Sequence, residues 1–330
     1  MRPQTDFVFA TCRAGSEASL KREVAARYGD LLTPAFMRPQ LITWKARQEL
    51  PPHFNLNAVF ASVSGYSAGM ARSVDEVAER IQTPLAAIHV FPRLTDEDGV
   101  PETTWAQMDD LQKELNDRLG PQRANRLVLD VIVGEEGEPW FLGLHEPGPS
   151  AHPTPGGLPR IHLPQDAPSR AWLKMEQALA WLKLDSPGML NGKVALELGS
   201  APGGASWALL QRGMKVWGVD TGKMAPQVGS HPSYQHLSMP AGELNFQKLP
   251  DQVDLLASDM NLHPDLAIAY IEKLTRQLHP NWLILTLKMN DLKVEEAIPS
   301  FIQRIQRFAP GKVQARQLQA NRREITVASA

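Results

Sequence analysis

Glycine, carboxylate and lysine side chains recur in the second half of the chain at the ends of short apolar runs, where a strand gives way to a turn. The run VALEL leads into Glu197-Leu198-Gly199-Ser200-Ala201-Pro202-Gly203-Gly204-Ala205-Ser206. Glycine at 199, 203 and 204 lets the backbone approach a ligand, and the helix expected next offers unpaired N–H groups at its start. This is a cofactor-binding turn. It has neither the GxGxxG spacing of a dinucleotide site nor the Lys-Ser/Thr of a phosphate loop. Such a helix start can instead hold a carboxylate, as in an amino-acid-containing cofactor. The next run, VWGVD, ends in Asp220, 21 positions after Gly199. At that separation a carboxylate meets ribose hydroxyls across a βαβ unit, or merely caps the following helix. Asp259 in SDM and Lys288 in LTLKM close two further runs.

Those residues need a sheet to carry them. Ser169 is an N-cap candidate for the helical segment SRAWLKMEQALAWLKL, in which Leu173, Ala180 and Leu184 share a face. Strands are expected at 194–198, 215–219, 253–257, 282–287, 313–317 and 325–328, with helices near 205–212, 266–278 and 295–308. The alternation predicts an α/β fold, a doubly wound, mostly parallel sheet with helices on both faces and its ligand beyond the strand C-termini. Before residue 147, strands at 7–10, 41–45, 58–64, 86–91, 126–133 and 140–144 alternate with helices at 17–28, 74–81 and 105–119. The last two strands form a hairpin around the acidic turn 134–138. This half predicts one or two small α+β units for binding or positioning. Between the halves, PGPSAHPTPGGLP (147–159) holds five prolines and three glycines and reads as a linker without helix or strand.

A chain of 330 residues with 43% hydrophobic and 21% charged side chains suits two or three domains. That composition excludes a wholly disordered, collagen-like or membrane-embedded chain. No apolar run approaches the roughly 20 residues that cross a bilayer. The start, MRPQTDFVFATCR, lacks a signal peptide's apolar segment, so a cytoplasmic location and no membrane partner are expected. The single cysteine, Cys12, permits no internal disulfide and no multi-cysteine zinc site, and is expected to be a buried thiol. A net charge of −2 gives no overall pull toward nucleic acid. Resolved along the chain, residues 1–150 carry 15 basic and 21 acidic groups, a net of −6, and residues 151–330 carry 19 and 15, a net of +4. Residues 301–330 concentrate Arg304, Arg307, Lys312, Arg316, Arg322 and Arg323 against the single acid Glu324. That end is a candidate phosphate-binding surface or a solvated basic face.

ELGSAPGG, SDM around Asp259, LTLKM around Lys288 and the late Glu324 together resemble the FtsJ-like family of S-adenosylmethionine-dependent ribose 2′-O-methyltransferases. PRIHLPQDAPSRAWLKMEQAL, VWGVDTGKMAP and NRREITV narrow the resemblance to RlmM-type enzymes, which act on a cytidine ribose of bacterial large-subunit ribosomal RNA. The close resemblance covers about 158–328. CRAGSE is similar to that group's ferredoxin-like leader, which implies a ferredoxin-like segment at 1–50, a THUMP-like RNA-binding region at 51–146, the linker at 147–159 and a Rossmann-like methyltransferase domain at 160–330.

The resemblance implies a Lys-Asp-Lys-Glu tetrad at Lys174, Asp259, Lys288 and Glu324. A ribose hydroxyl is a poor nucleophile, so methyl transfer from a sulfonium benefits from a base and from positive charge beside the developing alkoxide. Lys288 is the expected general base, its pKa expected to be lowered by burial and by Lys174 as a second cation. Asp259 and Glu324 would orient the lysines and the ribose. The implied cofactor set is Ser169, Gly199, Ser200, Ala201, Pro202, Gly203, Gly204, Asp220, Glu243 and Asp259. Ala201 stands where RlmM-type enzymes generally have Cys. The adenine-side acid falls in Met239-Pro240-Ala241-Gly242-Glu243, so Glu243 or a backbone amide takes that place. S-adenosyl-L-methionine going to S-adenosyl-L-homocysteine, large-subunit ribosomal RNA as partner, no metal and no obligate protein partner complete the expectation. A ribose methyltransferase of transfer or messenger RNA, a non-reacting module that binds RNA and cofactor, and more distantly a nicotinamide dehydrogenase are the alternatives.

Overall fold

Runs of apolar residues separated by turn residues build two separate sheets. The computed structural model describes residues 5–95, 99–148 and 154–330. The chain divides into two units, Met1–Arg160 and Ile161–Ala330.

The first unit contains β1 (Phe7–Thr11), α1 (Glu17–Tyr28), β2 (Leu32–Arg38), β3 (Leu41–Ala46), β4 (Val63–Ala71), α2 (Val74–Arg80), β5 (Ala87–Pro92), α3 (Glu102–Leu119), β6 (Val128–Val133) and β7 (Trp140–His145). Its sheet runs β2-β3-β1-β4-β7-β6-β5 and is continuous across residue 50. All pairings are antiparallel except β5 with β6. The hairpin expected around 134–138 is β6–β7. Two strands depart from expectation. β2 was not foreseen, because Pro34 and a solvent-facing row disguise an edge strand. β4 starts at Val63 instead of 58, and its bulge between Ser67 and Gly69 hides the two-residue alternation.

Of the proline-rich stretch 147–159, residues 149–153 lie outside the described residues. The rest holds a 3₁₀ turn, Pro155–Gly157, where no regular element was expected. Leu158 then enters the core of the first unit, and the Arg160 guanidinium lies 4.5 Å from the Trp105 ring centroid.

The second unit contains α4 (Ala171–Trp181), β8 (Val194–Leu198), α5 (Gly204–Gln211), β9 (Lys215–Val219), α6 (Pro226–Gly229), β10 (Tyr234–Leu237), β11 (Leu255–Ser258), α7 (Pro264–Leu278), β12 (Trp282–Lys288), α8 (Leu292–Glu296), α9 (Ile298–Gln306), β13 (Val313–Arg316) and β14 (Glu324–Ser329). The sheet order is β10-β9-β8-β11-β12-β14-β13. β10, β9, β8, β11 and β12 are parallel, and β14 runs antiparallel between β12 and β13. This is the doubly wound α/β architecture the alternation predicts. Ala195, Leu255, Ala257 and Ile284 pack into a core with α4 and α5, while their alternates Leu196, Leu256 and Leu285 are equally buried, so both faces are covered. The helix expected at 295–308 is two helices broken at Ala297, ahead of Pro299. β10, a four-residue edge strand reading YQHL, was missed for want of an apolar alternation.

Strand order reverses between β8 and β11, and a doubly wound sheet opens its ligand crevice at such a point. The glycine turn leaves β8 there, and Asp259 follows β11.

Candidate active site

Register brings the charged groups together. Lys288 ends β12 and lies directly opposite Glu324 at the start of β14. Asp259 follows β11, with its N–H donating to the Leu198 carbonyl at 3.0 Å. Lys174 comes from α4. That helix is fixed by Glu176, which pairs with Arg212 through two contacts, and by Gln177, whose Oε1 accepts from the Ala320 N–H at 2.8 Å.

The four side chains form a closed ring of alternating charge. Lys174 Nζ lies 3.0 Å from Asp259 Oδ2 and 2.6 Å from Glu324 Oε2. Lys288 Nζ lies 2.9 Å from Asp259 Oδ1 and 2.6 Å from Glu324 Oε1. Side-chain exposure is only 11–16% around the ring, so each charge depends on its neighbours for the solvation it has lost. The Lys174–Glu324 contact is ion-pair proximity without hydrogen-bond alignment, which leaves Glu324 Oε2 buried with no aligned donor.

Burial alone would raise the Asp259 carboxyl and lower the Lys288 ammonium. Charge overturns both. Lys174 and Lys288 hold Asp259 below the usual carboxylate range, and Asp259 and Glu324 hold Lys288 above the usual lysine value. The depressed Lys288 expected from burial and a second cation is therefore not the state of this ring. Each lysine lies against both carboxylates, so neither faces only the other cation.

The glycine turn is built against this ring. Gly199 has φ +79°, and a Cβ there would stand 2.7 Å from the Asp259 carbonyl oxygen and 3.1 Å from Met260 Cα. Only glycine lets β8 end flush against the residue that carries Asp259. A Cβ on Gly204, at the start of α5, would stand 2.3 Å from Ser169 Oγ. Ser169 thus sits on the turn, its Oγ accepting from the Ala171 N–H at 3.3 Å, one residue before the N-cap position that Arg170 occupies. Ala201-Pro202 is a cis peptide, and Gly203 has φ +113°.

Asp220 joins the two loops. Its Oδ2 accepts from the Ala201 N–H at 3.0 Å and its Oδ1 from the Gly222 N–H at 2.7 Å. A carboxylate offers about four lone-pair sites, so two such bonds leave capacity for hydroxyl donors. Ser200 Oγ accepts from the Tyr234 hydroxyl at 3.3 Å. Glu243 stands apart from this network, its side chain exposed on a 3₁₀ turn, Ala241–Glu243.

Two buried groups were not singled out from sequence. Glu197 points inward from β8, 2% exposed, and its Oε2 accepts from Ser206 Oγ at 2.5 Å. Burial first, then the like charges of Asp259 and Asp220, push its carboxyl up to about 8 against the pull of the Ser206 bond. A neutral glutamic acid therefore underlies the turn at pH 7. Its signal was available, since Glu interrupts the apolar VALEL. Tyr234, with its hydroxyl pushed up to about 12 mainly by burial, braces Ser200 and is the second. A small void of about 10 Å³, room for about one water, is lined by Lys174, Glu197, Ser258, Asp259, Thr286 and Thr326.

Gly199 and Gly203 in the left-handed region, the close seat at Gly204 and a carboxylate at the end of β9 fit an amino-acid-containing nucleoside cofactor. A side chain at Gly199 or Gly204 would collide with Asp259 or Ser169 and displace the turn.

The model of the FtsJ-like methyltransferase family matches residues 167–293. The ribosomal RNA large subunit methyltransferase M of Halorhodospira halophila is 34% identical over 177 residues, 52% of this chain and 50% of that protein. The chain thus spans about half the length of that relative. The protein of the same name from Pseudomonas fluorescens is 30% identical over 273 residues, 75% of this chain and 73% of its own length. Among solved structures, TrmN from Thermus thermophilus aligns over 98% of this chain and 99% of its own, at 15% identity and a TM-score of 0.35. With nearly three quarters of the Pseudomonas fluorescens relative spanned, the chain belongs to the ribosomal RNA large subunit methyltransferase M family and carries an FtsJ-like methyltransferase domain.

Proposed function

We propose that this protein transfers the methyl group of S-adenosyl-L-methionine to a ribose 2′-hydroxyl of RNA, with a cytidine of large-subunit ribosomal RNA as the substrate. The observation that carries the proposal is the closed ring of Lys174, Asp259, Lys288 and Glu324 set against Gly199 at the switch point of the sheet.

Gly199 to Gly204 would hold the cofactor's amino-acid end, with Ser169 beneath Gly204 and Asp220 toward the ribose hydroxyls. Glu243 lies on the adenine side or leaves adenine to backbone amides. Bound there, the cofactor supplies an electrophilic methyl on a sulfonium. The incoming 2′-hydroxyl approaches Lys288 Nζ, with Glu324 Oε2 as the acceptor that orients it. As the O–C bond forms and the S–C bond breaks, the hydroxyl proton passes to the neutral amine of Lys288. That amine is the minor form in the resting ring. Two ammonium and two carboxylate groups make the ring neutral by itself, and it carries excess positive charge once a sulfonium lies beside it, which favours loss of a proton from Lys288 to solvent. Lys174 stays charged and faces the developing alkoxide. No step requires a metal. The basic end at 301–330 and the N-terminal unit would hold the RNA, the latter by shape or a local patch given its net charge of −6.

The test is incubation of the protein with isotopically methyl-labelled cofactor and unmodified large-subunit ribosomal RNA, followed by nucleoside and fragment mass spectrometry. Label on the ribose of one cytidine is the expected result. Label on a base, or none in RNA of any class, refutes ribose methylation; label confined to transfer or messenger RNA refutes the substrate assignment alone.

A further inference from the structure

The first unit holds a second group of convergent donors, remote in sequence from everything above. His89 on β5 and Asp130 on β6 are direct register partners. Asp130 is also opposite Gly143 on β7, and His145 lies two residues beyond that glycine, so all three side chains share one face of the sheet. Asp130 is fully buried. His145 Nδ1 lies 2.5 Å from its Oδ2 and His89 Nδ1 3.6 Å from its Oδ1, the two imidazoles taking one oxygen each. Oδ1 has no hydrogen-bond partner. An ionisable oxygen buried without a donor is costly, and its environment calls for a cation or a donor to complete it.

We propose that His89, Asp130 and His145 form a binding site for a divalent transition-metal ion of the zinc class. Among the described residues this is the one group of three or more potential ligands, and its donor atoms lie within 4.8 Å of one another. Zinc–nitrogen and zinc–oxygen bonds of about 2.0–2.2 Å place tetrahedral donors about 3.3 Å apart. His145 and Asp130 need only open slightly to reach that spacing, and His89 closes by a side-chain adjustment. Two imidazoles and one carboxylate suit zinc, iron or copper, and exclude magnesium and calcium, which take oxygen ligands. Three rigid strands supply the ligands, which fixes them as a loop could not. His89, with a 24% exposed side chain, provides the entry path and leaves a coordination position open to water. Neither composition nor spacing signals the site, because only the strand register unites residues 89, 130 and 145; it departs from the metal-free expectation of the sequence.

The full chain, stripped with a chelator and desalted, would be titrated with Co²⁺ and then Zn²⁺. One Co²⁺ per chain with visible ligand-field absorption, displaced by Zn²⁺, is expected, along with a Zn²⁺-dependent rise in the melting temperature. His145 is nearly buried, so its replacement tests folding as much as binding. His89→Ala, with far-UV circular dichroism as the control for folding, separates the two. It should weaken Zn²⁺ binding by about 100-fold or more, since loss of an outer-shell partner alone costs 10–100-fold, and should abolish the melting shift. Failure of the stripped parent chain to take up one equivalent, or unchanged affinity in His89→Ala, overturns the site.

Discussion

Glu197→Gln should change how the stability of the second unit depends on pH, and the size of the change follows from where the side chain sits. The carboxyl is buried on β8 under the glycine turn, with a folded-state value of about 8 against an ordinary 4.5. The folded protein therefore holds a proton here that the unfolded chain releases once pH exceeds about 4.5. Stability falls as pH rises through that window and levels off above about 8, the opposite sign to a salt-bridged carboxylate. The full gap of about 3.5 units corresponds to roughly 5 kcal/mol at about 1.36 kcal/mol per unit. Between pH 5 and pH 7 the parent should lose roughly 2–3 kcal/mol relative to a chain in which this position cannot ionise. Glutamine is that chain: it keeps an oxygen to accept from Ser206 Oγ and all other titrating groups are common to both proteins. Urea unfolding of parent and variant at pH 5, 6, 7 and 8, followed through the transition of the second unit, gives the difference curve. A constant offset between the two is immaterial, because only the slope of the difference reports the proton. Parallel curves across pH 5–8 would refute a neutral Glu197 and with it the claim that burial outweighs the Ser206 hydrogen bond.

Lys288→Ala should lower methyl transfer by about 10²- to 10⁴-fold, the range for removing a general base, while calorimetry finds cofactor affinity within a few-fold; substantial turnover sinks the base assignment. Because Asp259 and Glu324 hold the Lys288 ammonium above its ordinary value until the cofactor's charge offsets them, single-turnover rates in the parent should rise with pH between pH 6 and pH 9, and a rate that is unchanged or falls across that range would put the base elsewhere. Gly199→Ala forces a Cβ to within 2.7 Å of the Asp259 carbonyl at a positive φ, which should cost at least about 1–2 kcal/mol; an unchanged melting temperature and cofactor affinity would contradict the close seating of the turn. Replacing the exposed Arg307, Lys312 and Arg323 by glutamine should reduce the salt slope of RNA binding by about three, roughly one per lost phosphate contact, and an unaltered slope would remove this end from the RNA surface.

Much of the second unit was legible because its signals are local. VALEL, VWGV, LLAS and WLILTLK are apolar runs that end in glycine, aspartate or lysine, and such runs buried on both faces need no alternation to be recognised as strands. What escaped is set by partners distant in sequence. β4 contains Gly65 and Gly69, poor strand formers, and exists because β1 and β7 pair with both its edges. Asp220 reads as a ribose-side acid or a helix cap, and that its carboxylate also accepts from the N–H groups of Ala201 and Gly222 is visible only once two loops are brought side by side. The state of Lys288 escaped for the same reason. Sequence places a lysine near another lysine, and the sign of its shift depends on which carboxylates lie between them.

By electrostatics alone the ring does not distinguish its two lysines, since each touches both Asp259 and Glu324 at nearly equal distances. The elements that carry them do. Lys288 is the last residue of a central strand, locked in register against Glu324, and its neighbours Leu287 and Met289 are buried, so its amine is held in place by the sheet. Lys174 reaches the ring from outside the sheet, on a helix secured by the Glu176–Arg212 pair and the Gln177–Ala320 hydrogen bond. A base must keep its angle to the reacting hydroxyl through the transfer, whereas a cation facing a developing alkoxide acts over a broader range of positions, because charge–charge attraction falls slowly with distance and a proton transfer does not. The strand-end position, locked in register, therefore suits the base and the helix position the charge. Conversion of either lysine to methionine unbalances the ring by the same unit of charge, so an equal electrostatic cost with an unequal loss of rate is what this division of roles requires.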